Sequence, residues 1–203
     1  MMKFLAAAAI AAATAFAAVP AQAAVILFSD FDAINVSGAA PGFIIIPTAD
    51  GWTGGAGGIE IQANNVAGVA FSGPNLVELD TFSNSSMFVA LGAGAYKVSY
   101  WYSPRPNVGA GSNGIDLSIG NTVLDSVALA GGGATQWQLR TVNFNTTGGN
   151  LTFSALGTSD GLGGYLDSIT ISSVPEASTW AMLIAGFGLV GFAARRRKAA
   201  VAA

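Results

Sequence analysis

The 203-residue chain contains no cysteine and no histidine, and only 9% of its residues are charged. Without cysteine there is no disulfide framework, no thiol nucleophile and no thiolate metal site. Without histidine the commonest general base and metal ligand is missing, and Ser-His-Asp or Cys-His catalytic arrangements are excluded. Basic residues are scarce too. Between residues 24 and 173 there are three, Lys97, Arg105 and Arg140. Against them stand ten acids: Asp30, Asp32, Asp50, Glu60, Glu78, Asp80, Asp116, Asp125, Asp160 and Asp167. Ten acids less three bases gives this stretch a net charge near −7, against −3 for the whole chain. A surface so acidic argues against nucleic acid and anionic phospholipid as partners.

What is present begins with two apolar terminal segments. Met1-Met2-Lys3, an apolar stretch from Phe4 to Ala18, and Ala21-Gln22-Ala23 occur in the order of a secretory signal peptide, residues 1–23. Signal peptidase is expected to act after Ala23, so that the mature chain begins at Ala24. No cysteine follows that point, which excludes a lipoprotein anchor. At the other end, Trp180 to Ala194 carries no charge and runs into Arg195, Arg196, Arg197 and Lys198. An interfacial tryptophan before the run and a basic cluster after it predict a single transmembrane helix at about 180–194. Residues 199–203 then form a cytoplasmic tail. Fifteen helical residues span about 22 Å, short of a ~30 Å hydrocarbon core. Snorkelling arginines close part of the gap, so the segment suits a transient stop in the inner membrane. Gly186, Gly188 and Gly191 spell a GxGxxG string within it. No strand precedes them, and small residues for helix packing account for them better than a dinucleotide site does.

Residues 24–173, about 150 in number, are enough for one domain with a sizeable core. Their pattern is two-residue alternation broken by Gly, Asn, Ser and Pro, which predicts an all-β ectodomain of β-sandwich or jelly-roll type. Strands are expected over 25–29, 59–62, 76–80, 87–91, 96–102, 115–119, 122–127, 137–144, 151–155 and 165–172. Gly120-Asn121 fits a type II′ hairpin turn, and 51–58 and 131–133 read as loops.

The tail also carries a specific resemblance. Pro175, Glu176, Trp180 and Ala181, followed by an apolar helix and the Arg195–Arg197 cluster, resemble the PEPxxWA-CTERM sorting signal of Gram-negative exported proteins, with Ala177 in place of its second proline. The resemblance, over residues 174–198, implies recognition by an exosortase-type membrane transpeptidase. It further implies cleavage near Pro175-Glu176 and delivery to the cell surface, outer membrane or extracellular matrix. The central domain resembles galactose-binding-like jelly rolls through Gly58-Ile59-Glu60-Ile61, Asn75 to Asp80, Tyr96 to Arg105 and Tyr165 to Ile169. That likeness implies a sandwich related to carbohydrate-binding modules, often with a structural calcium ion.

Several residues break the plain alternation. Asp167 shares a strand face with Tyr165, Ile169 and Ile171, where an unpaired carboxylate is costly. It is expected either to accept hydrogen bonds from a turn or to join Asp30 and Asp32 in an oxygen-only calcium site. Trp101 sits opposite Val98, Tyr100 and Tyr102 among polar neighbours. It is either covered by a loop or a stacking platform for a sugar ring, helped by Arg105 and by Trp52 at a loop rim. Glu78 and Asp80 share one face about 6–7 Å apart, a spacing compatible with paired-carboxylate glycoside hydrolysis, although no nucleophile-base set accompanies them. The leading expectation is an exported, non-catalytic binder of extracellular polysaccharide. A structural or adhesive matrix protein is the alternative, and a glycoside hydrolase ranks behind both.

Overall fold

The computed structural model describes residues 23–36, 42–64, 66–174 and 183–191. The expected signal segment through residue 22, including Ala21, lies outside them. So do Pro175, Glu176, Trp180, Ala181, Arg195, Arg196, Arg197 and the tail 199–203. The chain divides into two units, residues 22–175 and the terminal segments 1–21 and 176–203. In the terminal unit residues 183–191 are helical and include Gly186, Gly188 and Gly191. Among the described residues no helix is long and apolar enough to cross a membrane.

The larger unit is built from strands. In chain order these are β1 (Val25–Ser29), β2 (Phe43–Ile46), β3 (Thr48–Ala49), β4 (Trp52–Gly54), β5 (Ile59–Ala63) and β6 (Asn75–Glu78). They continue as β7 (Ser86–Ser103), β8 (Gly114–Ile119), β9 (Thr122–Val127), β10 (Gln138–Leu156) and β11 (Tyr165–Ser173). Hydrogen bonding runs β2-β5-β6-β11-β7-β10-β8-β9, with β1 added to β11 and the β3–β4 hairpin added to β7. All these pairings are antiparallel, as expected for strands joined by short turns.

Two long strands organise the sandwich. β7 and β10 pair without a register break from Tyr102–Gln138 to Ser86–Ser154. Their first and second halves serve different layers. Tyr96 to Ser103 of β7 joins β11, whereas Met87 and Phe88 join β4 and Leu151 to Leu156 of β10 joins β8. Between the halves Gly148 and Gly149 take φ of 111° and 138°, a region that L side chains avoid, so the ribbon bends there without ending. The expected separate strands at 87–91 and 96–102, and at 137–144 and 151–155, are therefore single bent strands. The segment 51–58, expected as a loop, contains β4, which seats Trp52 in the core. β2 was not anticipated because Phe43 to Ile46 is a run of four apolar residues, each half-buried, with no alternation to reveal it.

The layers close over one apolar core that draws on both halves of the sheet. Ile59, Ile61, Val77, Leu79, Val98, Leu166, Ile169 and Ile171 come from one layer; Trp52, Met87, Ile115, Leu117, Leu151 and Phe153 come from the other. The Phe153 ring lies 5.5 Å from Trp52 and 4.8 Å from Tyr100, edge-on to the latter, and fixes the centre. At the β8–β9 turn Gly120 has φ 53° and Asn121 does not share it, which is the type II′ pattern expected. Truncation of Phe153→Ala removes a fully buried ring touching both layers, and is expected to cost about 3–5 kcal/mol. Urea denaturation checks it: the midpoint should fall with the slope unchanged.

Candidate functional site

The outer face of the β1-β11-β7 layer, away from the core, gathers the residues that break alternation. Pairing places them in rows, since directly paired residues point to one side of a sheet. One row runs Ile45, Glu60, Glu78, Tyr165 and Ser103 across β2, β5, β6, β11 and β7. The next holds Asp167, Trp101 and Leu139. Beyond it lie Phe28, Thr170, Ser99 and Thr141, with the Ser99 and Thr141 hydroxyls 3.2 Å apart. A final row contains Val25, Ser172 and Lys97.

A β-bulge in β11 makes this arrangement. The register with β7 shifts between Asp167 and Thr170, and Ser168 adopts φ 47°. The extra residue reverses the strand's parity. Tyr165 and Asp167 point outward, while Leu166, Ile169 and Ile171 point into the core. The expectation that Asp167 shares a face with Ile169 and Ile171 is thus corrected, because simple alternation fails across a bulge.

The loop between β5 and β6 covers the first two rows. Its neck is tied by Asn64, whose side chain donates to Gly73 O at 2.8 Å and accepts from Ala70 N at 2.6 Å. Val69 O at its apex accepts from Trp137 Nε1 at 2.9 Å and from Thr135 Oγ1 at 3.1 Å. Ala70 packs on Leu76 and Tyr165 in a small second cluster. Phe71 stacks on Trp101 at 3.8 Å and 15°, with Trp137 edge-on at 6.3 Å. Phe71 is 42% exposed, so the aromatic surface offered to solvent is the Phe71 ring backed by Trp101. Trp101 is thus covered by the loop, with the Phe71 ring stacked on it.

Beneath the loop lies a polar nest. Glu78 is fully buried, and Arg105 donates to its Oε2. Gln62 Nε2 also donates to Glu78 Oε2 and, at 2.7 Å, to Glu60 Oε1. Gly163 N donates to Glu78 Oε1. Burial pushes the Glu78 carboxyl up to about 8, further raised by Glu60 and Asp80 and opposed by Arg105 and the Gly163 N–H. Burial raises Glu60 as well, against the hydrogen bond from Gln62. Two buried atoms of the nest, Gln62 Oε1 and Tyr165 Oη, have no protein partner. Asp80 is buried beside it and accepts from the backbone N–H groups of Asp160 and Gly161, both at 2.9 Å, and of Leu162 at 3.3 Å. Glu78 and Asp80 are consequently sealed and engaged, and they do not form an open pair of carboxylates.

The remaining expected residues fall elsewhere. Trp52 is 1% exposed in the core, its Nε1 donating to Ser29 Oγ at 2.9 Å, so it is no part of a loop rim. Arg105 holds Glu78 and does not lie free beside Trp101. Asp167 accepts from Ser72 N at 3.0 Å and Ser168 Oγ at 3.1 Å, and burial raises its carboxyl to about 6. Asp32 accepts from Asn75 N at 3.4 Å, and Asp30 accepts from Asp32 N at 3.3 Å. No group of three or more acidic side chains able to hold a metal ion occurs among the described residues. Asp30, Asp32 and Asp167 are thus not brought together as one cluster: Asp30 accepts within its own turn, while Asp32 and Asp167 accept from the distant backbone of Asn75 and Ser72. Sequence reasoning missed Phe71, Gln62 and Tyr165. The signal for Phe71 was an apolar cluster, Val69-Ala70-Phe71, inside a loop bounded by Asn and Pro.

Residues 173–198 match the PEP-CTERM protein-sorting motif. A search of curated proteins gives no match. Among solved structures the chain is similar to the K2 cleaved adhesin domain of Lys-gingipain, at 19% identity and a TM-score of 0.50, covering 71% of this chain and 96% of that one. It is also similar to the K3 cleaved adhesin domain of Lys-gingipain from Porphyromonas gingivalis, at 16% identity and a TM-score of 0.47, covering 74% and 100%. A family 35 carbohydrate binding module from Clostridium thermocellum follows, at 14% identity and a TM-score of 0.40, covering 76% and 100%. Motif and fold together define the class, an exported, membrane-sorted surface protein with a β-sandwich domain. More particularly, the motif implies handling by an exosortase-type system.

The raised carboxyls give a pH dependence of definite sign. Between about pH 4.5 and 8 folded Glu78 keeps a proton that the unfolded chain has lost, so stability falls as pH rises through that window. Asp167 acts in the same direction between 3.8 and about 6. The melting temperature should be higher at pH 5 than at pH 8. Glu78→Gln should flatten the part between pH 6 and 8, as thermal melts across pH will show.

Proposed function

We propose that the β domain binds extracellular polysaccharide without cleaving it, using the outer sheet face around Phe71. The observation that carries this reading is the half-exposed Phe71 ring stacked on Trp101 and flanked by Trp137. Next to it lies a row of short hydroxyls, Ser99, Thr141 and Thr170. A rigid aromatic plane stacks on the C–H face of a sugar ring, and adjacent hydroxyls exchange hydrogen bonds with its rim. Export removes the signal peptide between Ala23 and Ala24. An exosortase-type transpeptidase then recognises Pro175, Glu176, Trp180, Ala181 and the Arg195–Arg197 cluster and cleaves near Pro175-Glu176. The domain is thereby delivered to the cell surface or its matrix. The burial of Glu78 and Asp80, and their full engagement by Arg105 and backbone N–H groups, supports a binding role over a hydrolytic one.

A second reading, an adhesive matrix protein whose partner is protein, is favoured by one observation. Val69 and Leu139 beside the platform are 51% and 56% exposed, more apolar than a sugar needs. Polysaccharide pull-down distinguishes the two. Phe71→Ala is expected to weaken binding about tenfold, equivalent to about 1.4 kcal/mol, with the melting temperature little changed because the side chain sits on the surface. Saturable self-association with no retention of polysaccharide would establish the second reading instead. Release of reducing sugars that depends on Glu78 or Asp80 would overturn the non-catalytic role.

A further inference from the structure

The chain enters and leaves the β domain at one corner. Ala24 N donates to Ser173 Oγ at 3.2 Å, Ser173 N donates to Ala24 O at 2.9 Å, and Val174 N donates to Ala95 O at 2.8 Å. The residues that follow Ala24 are apolar and turned outward: Val25 is 63% exposed, Ile26 49% and Phe28 54%, and Val174 beside them is 38% exposed. This is unusual for the first strand of a sheet, whose open edge soluble proteins commonly protect with charge. Here the protection is missing. Across residues 24–29, 95–99, 141–145 and 169–174 the single charged side chain is Lys97, in a domain whose ten acids all lie elsewhere. A register shift between Val25 and Leu27 places Ile26 in a bulge, which adds a second outward apolar group on an already twisted edge.

We infer that this corner, made by Val25, Ile26, Phe28 and Val174 with Lys97 at its margin, is a lipid-facing surface that rests on the bilayer while the chain is still uncut. The occupant follows from the chain itself. Eight residues, 175–182, separate Val174 from the helical segment 183–191, whose Ile184, Phe187, Leu189 and Val190 are all more than half exposed. A connection of that length reaches at most about 30 Å. If the sorting signal is inserted in the membrane, as the proposed export route requires, that covalent limit brings the corner within reach of the bilayer. Apolar groups next to a single lysine suit the headgroup boundary, where the lysine stem lies along the acyl edge and its ammonium meets phosphate. Because the domain as a whole is acidic, contact depends on the apolar groups and does not require an anionic lipid. The corner adjoins the face proposed for sugar binding: Phe28 shares the row of Thr170, Ser99 and Thr141. Val25 and Lys97 lie two rows from Trp101, about 13 Å by strand rise, and the bilayer test below does not depend on sugar binding.

The absence of cysteine makes the test direct. Single-cysteine variants of the full chain, Ile26→Cys, Phe28→Cys and, as control, Gly133→Cys, are labelled with an environment-sensitive fluorophore and reconstituted in phosphatidylcholine vesicles. Gly133 is exposed, with open space around an added Cβ. Labels at positions 26 and 28 are expected to emit at shorter wavelength than the control, and brominated lipid should quench them at least twofold while leaving position 133 unchanged. Emission at 26 and 28 matching that at 133 overturns the inference. So does a blue shift that follows protein concentration at fixed lipid, which would assign the corner to a second copy of the chain. Val174→Cys, outside β1, repeats the reading should the β1 variants lose their near-ultraviolet circular dichroism.

Discussion

The β domain depends on the unbroken pairing of β7 with β10. Two strands of 18 and 19 residues are far longer than a single layer needs, and their length lets one hydrogen-bonded ribbon belong to both layers. The bend at Gly148 and Gly149 turns the ribbon over Phe153 and Tyr100, so the core is enclosed by a sheet folded on itself. Each remaining strand is positioned by where along the ribbon it docks: β11 and β1 on one half, β4, β8 and β9 around the other. At the open end between the layers Asp125 of β9 closes the gap. It accepts from Tyr100 Oη at 2.8 Å and from Arg140 Nε at 2.7 Å, and the arginine holds its carboxyl below the usual range.

The outer face is a separate construction. One extra residue in β11, at Ser168, turns Tyr165 and Asp167 away from the core and over to the loop between β5 and β6. What that loop covers is unusually polar for a buried site. Glu60, Gln62, Glu78 and Arg105 are linked in one network, and desolvation keeps the Glu78 proton affinity high despite the adjacent guanidinium. The network fixes the loop's floor, while Trp137 and Thr135 fix its apex through Val69 O. Phe71 is therefore presented from a loop held at both ends, and the aromatic surface is rigid without belonging to a strand.

Much of this was legible in the residues. β1 and β9 have the expected boundaries because Val25–Ser29 and Thr122–Val127 are short apolar stretches closed by Asp and Gly-Asn signals. The core face of β7, with Val98, Tyr100 and Tyr102, also follows from alternation. The failures share a cause. Glycine marks both a chain end and a bend within a strand, so Gly92 to Gly94 and Gly148-Gly149 divided on paper what the ribbon keeps whole. A bulge leaves no compositional trace, so alternation alone gives β11 the wrong parity and groups Asp167 with Ile169 and Ile171. Trp52, next to glycines, resembled a loop residue although the β3–β4 hairpin carries it inside. The platform was half visible: Trp101 was singled out, while Phe71 depends on a loop fold that local pattern does not encode.

The shared corner of entry and exit has a mechanical consequence. Tension applied between Val174 and the Phe71 loop would run lengthwise along β11 and β7. The ladders joining β11 to β7 and to β1 would then be strained in shear, many hydrogen bonds at once, and not unzipped one at a time. β1 pairs along β11 and is pinned at its far end, where Ser29 Oγ accepts from Trp52 Nε1 and donates to Asp50 O, so it braces the loaded strand. A pull applied at the opposite ends of the sandwich would instead separate its layers.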